Sequence, residues 1–453
     1  MNNRLNRAPT SARTLLLSLV FMASLGADAT RVDARTGSPS GDADARASDA
    51  ISEWQEQKVS AADGAADDNF GYAVAISGTT AVVGASNAGG DGRGAACVYV
   101  LVDDVWTLQQ ELSADDGAAL DGFGFSASVS GDTIVIGAPY ATIGDNGGEG
   151  AAYVFSRSGD TWTQVQKLEP DDGTSNFNFG WSVAVSGSTA LISSPVAPVG
   201  DNALQGKAYI FENAGGAWTQ MQTLLADDGS AMATFGSSVA LDGTQAIIGA
   251  AGVDGYFGAA YIFDGSGGTW TQTAHLSPDD GVQTEFFGLS VAISGSKALV
   301  GAYYQRVDGH NGQGSAYVFS DDGGTWAQQQ KLLASDGAAG ARFGLSVALD
   351  GTTALVGSYF ATVDGNSQQG AAYVFSEIGD TWNETDKLVA SDGAAGDHFG
   401  NAVALASGTA LIGAFDAAPG GATSQGAAYF YSQPSNDAIF VDGFDGGALD
   451  LRQ

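Results

Sequence analysis

Residues 332–348 read Leu332-Leu333-Ala334-Ser335-Asp336-Gly337-Ala338-Ala339-Gly340-Ala341-Arg342-Phe343-Gly344-Leu345-Ser346-Val347-Ala348, and the pattern Leu-x-Ala-Ser-Asp-Gly-Ala-Ala-Gly-x-x-Phe-Gly-x-Ser-Val-Ala that they define returns at 388–404 with one change, Ala402 for Ser. Its central Phe-Gly pair recurs at Phe70, Phe123, Phe179, Phe235, Phe287, Phe343 and Phe399, at intervals of 52 to 56 residues. Seven copies at a nearly fixed period identify a repeat architecture. Each pair opens an alternating run such as Ser182-Val183-Ala184-Val185, followed by Ser-Gly or Asp-Gly and a second apolar run ending near Gly-Ala, as at Gly137-Ala138. That pattern predicts a tight β-hairpin. A third run such as Ala151-Ala152-Tyr153-Val154-Phe155 and a fourth headed by tryptophan, Trp162 to Leu168, complete the unit. Four strands per repeat predict a propeller blade, and the chain as a whole an all-β, seven-bladed β-propeller of four-stranded antiparallel blades.

Two other residue series count the blades independently. Trp54, Trp106, Trp162, Trp218, Trp270, Trp326 and Trp382 each precede a Phe-Gly pair by 16 or 17 residues, leaving Trp181 outside the series. Third-strand tyrosines stand at Tyr153, Tyr209, Tyr261, Tyr317, Tyr373 and Tyr429, with Cys97 in the matching place of the first copy. Cys97 is therefore expected to be a buried strand residue. The phase of the series sets the closure, because Trp54 precedes the first Phe-Gly whereas no tryptophan strand follows Tyr429. Residues 51–59 are thus expected to complete the last blade, leaving no missing strand to invite aggregation. The phenylalanine and tryptophan series are expected to pack between blades, each buried ring contributing about 1.5–3 kcal/mol.

The quoted phrase, together with an apolar residue before Gly137-Ala138-Pro139, resembles the bacterial FG-GAP repeat family over roughly residues 50–432. The resemblance implies the seven-bladed propeller of integrin α chains and extracellular adhesion or recognition, and implies no enzyme activity. It would also imply a calcium loop between the first and second strands. Here that connection is only Ser77-Gly78, Ser130-Gly131, Ser186-Gly187, Asp242-Gly243, Ser294-Gly295, Asp350-Gly351 or Ser407-Gly408. A two-residue turn cannot offer the six to eight oxygens that calcium takes, so those metal sites are not carried over.

The chain has 453 residues, 66 of them glycine, and a formal charge of −34. Such a polyanion is repelled by phosphate backbones and anionic lipid, which excludes nucleic acid as a partner. At the N-terminus, Arg4, Arg7 and Arg13 precede an apolar run from Leu15 to Leu25 and the small residues Ala27-Asp28-Ala29. Residues 1–29 read as a signal peptide and 30–49 as a flexible leader. Residues 50–432 form the propeller and 433–453 a tail, whose Ile439-Phe440-Val441-Asp442-Gly443-Phe444-Asp445 resembles endings of assorted secreted bacterial proteins. The expected location is outside the cytoplasm, secreted or in the cell envelope, for a monomer without a transmembrane segment. A single cysteine excludes an intrachain disulfide.

Acids fall in two loop sets. One, between the fourth strand and the next Phe-Gly, holds Asp63, Asp115-Asp116, Asp171-Asp172, Asp227-Asp228, Asp279-Asp280, Asp336 and Asp392; the other, between the second and third strands, holds Asp91, Asp145, Asp201, Asp254, Asp308 and Asp364. Strand alternation places both sets on one face of the disc. Asp-Gly is ordinary turn chemistry. The sharper alternative is calcium at Asp91, Asp145, Asp201, Asp308 and Asp364, or a ligand surface that includes Asn146, Asn202, Arg306 and His310. His275, His310 and His398 occupy three different structural positions, so no catalytic triad or other catalytic residue is assigned. The expected function is an exported binding or adhesion scaffold for an extracellular protein or glycan. The competing expectation is a carbohydrate-active enzyme using carboxylates of the same face.

Overall fold

The computed structural model describes residues 54–281 and 285–433, so the expectations for the signal peptide, the leader and the tail beyond 433 lie outside the described residues. Seven four-stranded antiparallel sheets form the blades. Six take their strands in chain order, from the innermost strand to the outermost, over residues 70–112, 126–168, 183–224, 235–276, 291–332 and 343–388. Blade 7 joins Val403–Ala406, Thr409–Ala414 and Ala427–Ser432 to an outer strand supplied by Gln55–Val59. In that pairing Gln55 lies opposite Ser432 and Val59 opposite Ala428. Each inner strand packs against the next, and Val403–Ala406 packs against Phe70–Ser77, which closes the ring.

The sequence pattern explains how each strand is buried. Second strands such as Thr80–Ala85 are buried along their whole length, since both of their faces meet a neighbouring blade, and they read as continuous apolar runs. Outer strands alternate instead: in Thr161–Leu168 the Trp162 and Leu168 side chains are buried while Thr161, Thr163 and Val165 are exposed. All seven Phe-Gly phenylalanines are fully buried. Each caps a core shared by two blades, as where Phe123, Tyr153 and Trp162 of blade 2 meet Val82 and Val98 of blade 1.

Main-chain contacts lock the seams. The glycine before each third strand, Gly94 for example, has φ +88, and a β-carbon there would collide with the Phe123 carbonyl oxygen. With that space open, the Phe123 amide donates to Arg93 O at 2.9 Å and the Gly122 amide to Gly92 O at 3.1 Å, so each second-to-third loop is zipped onto the loop that leads into the next blade. The last seam closes the same way, with Phe70 N donating to Gln425 O at 3.0 Å.

The hairpin turns sit one residue later than the sequence reading placed them in six blades. Ser77 is the last residue of the inner strand, and the turn is Gly78-Thr79 with Gly78 at φ +55. Only Ser407-Gly408 is itself the turn, with both residues at positive φ. The displaced residue latches the next blade: Ser130 Oγ accepts from Gly187 N at 3.1 Å and Asp242 Oδ2 from Gly295 N at 2.7 Å.

A glutamine latch joins outer strands. Gln110 donates to Trp162 O and accepts from Trp162 N, both at 2.8 Å, and Gln57, Gln166, Gln222 and Gln330 bind Trp106, Trp218, Trp270 and Trp382 in the same manner. Ala274 and Asp386 hold this position before Trp326 and Trp54. Those two tryptophans are half-buried, whereas the other five of the series are buried.

Candidate functional site

The acids between blades are structural clips. In blade 2 the Tyr153 hydroxyl donates to Asp116 at 2.9 Å while Lys167, cross-strand from Tyr153, bridges the second carboxylate oxygen at 2.9 Å. Tyr209, Tyr261, Tyr317, Tyr373 and Tyr429 bind Asp172, Asp228, Asp280, Asp336 and Asp392 at 2.7 to 3.0 Å. Lys207, Lys331, Lys387 and Lys58 bridge Asp172, Asp280, Asp336 and Asp392, and at Asp228 the place of the lysine is taken by His275, whose Nδ1 lies 3.6 Å from the carboxylate. Burial disfavours ionisation of these aspartates, yet the hydrogen bonds from lysine and tyrosine and the lysine charge outweigh it, holding Asp116, Asp280, Asp336 and Asp392 below the usual carboxylate range.

Blade 1 breaks the clip. Its matching residues are Asp63, Cys97 and Glu111, with Cys97 paired directly opposite Glu111. Burial, then Glu111 and Asp63, push the Cys97 thiol up to about 12. Burial, then Asp63 and Asp68, raise Glu111 above the usual carboxylate range. The thiol is therefore held neutral and unreactive.

Acids of the second set stand one to a blade in blades 1 to 6, and four of them lie at the tips of tight turns. Ile143 and Asn146 bond each other's main chain across Gly144-Asp145, as Val199 and Asn202 do across Gly200-Asp201. Val307 with His310 and Val363 with Asn366 close the turns that carry Asp308 and Asp364. The fourth residue also fastens the loop inward: Asn146 donates to Glu149 at 2.7 Å, Asn202 to Gln205 at 2.8 Å, and His310 Nδ1 lies 3.1 Å from Gln313 Oε1. Asp145, Asp201, Arg306, Asp308 and Asp364 are exposed, and Asp91 is paired with Arg93 at 3.3 Å. Among the described residues no three His, Cys, Asp or Glu side chains come together as a group that could hold a metal ion.

What the repeat does not account for is an aromatic collar on the same face, at the loop-side end of the inner strands. Most of its rings come from three positions of a blade, the residue before Phe-Gly, the residue after it, and the second residue after the second strand, and Phe415 joins them from the first residue after the second strand of blade 7. Phe360 stacks near His398 with ring centres 5.0 Å apart, His398 lies parallel to Phe415 at 5.6 Å, and Phe415 meets Tyr72 edge-on at 5.8 Å. Tyr72 then lies 5.1 Å from Phe125, and Phe125 4.8 Å from Trp181, with Tyr140 edge-on at 5.7 Å. The arc crosses blades 6, 7, 1, 2 and 3, and its rings are half-buried rather than enclosed. A second cluster joins Tyr256, Phe286, Tyr303 and Tyr304, and the Arg342 guanidinium lies 4.1 Å above the Tyr304 ring.

Trp181, the tryptophan outside the counted series, is thus part of the collar. Sequence reasoning missed this arc because the residue types at its positions do not repeat: the residue after Phe-Gly is Tyr72, Phe125, Trp181, Ser237, Leu289, Leu345 and Asn401 in turn. A groove of about 430 Å³ on the outer rim between blades 3 and 4, lined by Gln222, Phe263, Trp270 and others, carries Asp227 as its one acid.

Comparison with curated proteins finds no match. Against protein families, the FG-GAP repeat model matches seven times, over residues 54–101, 106–155, 162–211, 218–263, 270–319, 326–375 and 382–431. All seven matches run from a tryptophan of the counted series into the third strand of the following blade, the first from Trp54, which directly precedes the closing strand. The chain belongs to the FG-GAP repeat family.

Proposed function

We propose that this protein is an exported, non-catalytic binding or adhesion scaffold whose loop face recognises an extracellular ligand. The propeller fold and the family membership support a binding role. The observation that carries the reading is the collar, because it concentrates aromatic area on one face while the repeated acids beside it are engaged in clips and turns. Half-buried rings beside polar tips are what a recognition surface presents. Export rests on the N-terminal sequence pattern; among the described residues no helix is long and apolar enough to cross a membrane. Calcium enters as a bridge from an exposed turn acid, Asp145, Asp201, Asp308 or Asp364, to a ligand that supplies the remaining oxygens, with Asp91 as a further candidate. The test is an array of extracellular matrix proteins and glycans probed with the full chain, with and without EDTA. Binding that is lost in Trp181→Ala and kept in Asp132→Ala, on the opposite hairpin face, supports the reading; equal loss in both refutes it.

A further inference from the structure

We propose that the collar binds a neutral glycan, with the arc from Phe360 to Trp181 as its stacking platform; this deepens the binding role proposed above and rests on it. Pyranose rings present flat C–H faces that pack on aromatic rings, and an arc of linked rings spanning five blades suits a chain of sugars better than a single small molecule.

Charge selects within the glycans. Across the three collar positions of all seven blades the only acidic, basic or histidine residues are Arg342, His398 and Asp416, and the last two bind each other, His398 Nδ1 to Asp416 Oδ2 at 2.6 Å. The collar is therefore close to neutral, on a chain of formal charge −34 that repels polyanions. A cationic protein would find few free carboxylates in the collar itself, and a polyuronate would meet the field of the whole molecule.

Two nitrogens in the collar add a polar demand. Arg342 is 8% exposed, and its Nη1 is buried without a hydrogen-bond partner beside Gly312. His398 Nε2 is buried and equally unpartnered on the ring edge away from Asp416. Arg342 Nη1 is a donor, whereas His398 Nε2 accepts or donates according to its protonation, and a sugar hydroxyl serves all three cases. Tyr304, half-buried over the guanidinium, would have to swing aside for a hydroxyl to reach Arg342.

The experiment titrates the full chain, by calorimetry and tryptophan fluorescence, with neutral hexasaccharides of β-linked glucose, xylose, mannose and N-acetylglucosamine, and with a hexauronate as the charged control. At least one neutral hexasaccharide is expected to bind, the hexauronate at least tenfold more weakly. Trp181→Ala and Tyr72→Ala should each weaken binding about tenfold or more, Trp181→Phe should restore most of it, and the melting midpoints should report that all variants fold. Failure of all four neutral chains at millimolar concentration overturns the proposal, as does binding that both alanine variants leave intact. If a matrix protein still binds in a Trp181-dependent manner, the glycan inference alone falls. If neither class binds, the recognition reading falls with it.

Discussion

Cys97 lies directly across blade 1 from Glu111, at the pair of positions where Tyr429 faces Lys58 in blade 7 and Tyr153 faces Lys167 in blade 2. A neutral thiol and a carboxylate thus replace a hydroxyl donor and a cation beside an aspartate, Asp63, that keeps its place. The loop leading into blade 1 is the one such loop that lacks both of its side-chain clamps.

Restoring the clamps should stabilise the ring. The double variant Cys97→Tyr with Glu111→Lys recreates the tyrosine and lysine bonds to Asp63, and one hydrogen bond to a charged group is worth about 1.5–3 kcal/mol, less here because the carboxylates of such clips are half-exposed. A higher melting midpoint and slower proteolysis within the 60–69 loop are expected. Because Cys97 is buried, the single Cys97→Tyr change measures separately whether the core admits the ring.

The same substitution pattern fixes a pH dependence. Glu111 has a raised pKa in the fold, so the folded state binds its proton more readily than the unfolded chain. Its contribution is then present in acid and is lost as pH rises through the raised value, which lies above the ordinary ~4.3 of glutamate. Asp116, Asp280, Asp336 and Asp392 have lowered pKa values and act oppositely, contributing above the unfolded value and losing that contribution as pH falls through the folded one. Glu111→Gln should therefore raise the melting midpoint near pH 7 and leave it unchanged near pH 4. A rise of equal size at both pH values would contradict this account.

The clips of blades 2 and 6, each a tyrosine facing a cross-strand lysine, are expected to contribute alike. Tyr153→Phe removes the hydroxyl that donates to Asp116 at 2.9 Å while leaving the ring buried, and should cost about 1–2 kcal/mol. Tyr373→Phe should cost a similar amount, and the two should add because the pairs sit in different blades. Thermal melts of the single and double variants check this.

How much of this was legible differs between fold and site. The strand pattern, the blade count and the closing strand follow from series that repeat, because a blade must solve the same packing problem seven times. The two half-buried tryptophans, Trp326 and Trp54, are also the two that face Ala274 and Asp386 where other blades have glutamine. The acids were visible for the same reason, but repetition says only that a residue is needed in every blade. It does not say whether a carboxylate faces solvent or a tyrosine, and Asp116 faces Tyr153. The collar was hidden because it does not follow the seven-fold symmetry of the blades. Its members share positions rather than residue types, and neighbours such as Phe415 and Tyr72 are far apart in the chain until the ring closes.

The glutamine latch gives the last prediction. Gln110→Ala breaks two bonds to the Trp162 main chain and leaves those groups unpaired, which should cost about 1–3 kcal/mol. Gln330→Ala at the blade 5–6 seam should do the same. Conversely, Ala274→Gln installs the latch opposite Trp326, where none exists, and should draw that half-buried ring inward. Trp326 would then become less accessible to acrylamide quenching, and the melting midpoint would rise. Should Ala274→Gln leave Trp326 as accessible as before while Gln110→Ala proves costly, the latch holds blades already in contact rather than drawing them together, and the half-burial of Trp326 has another cause.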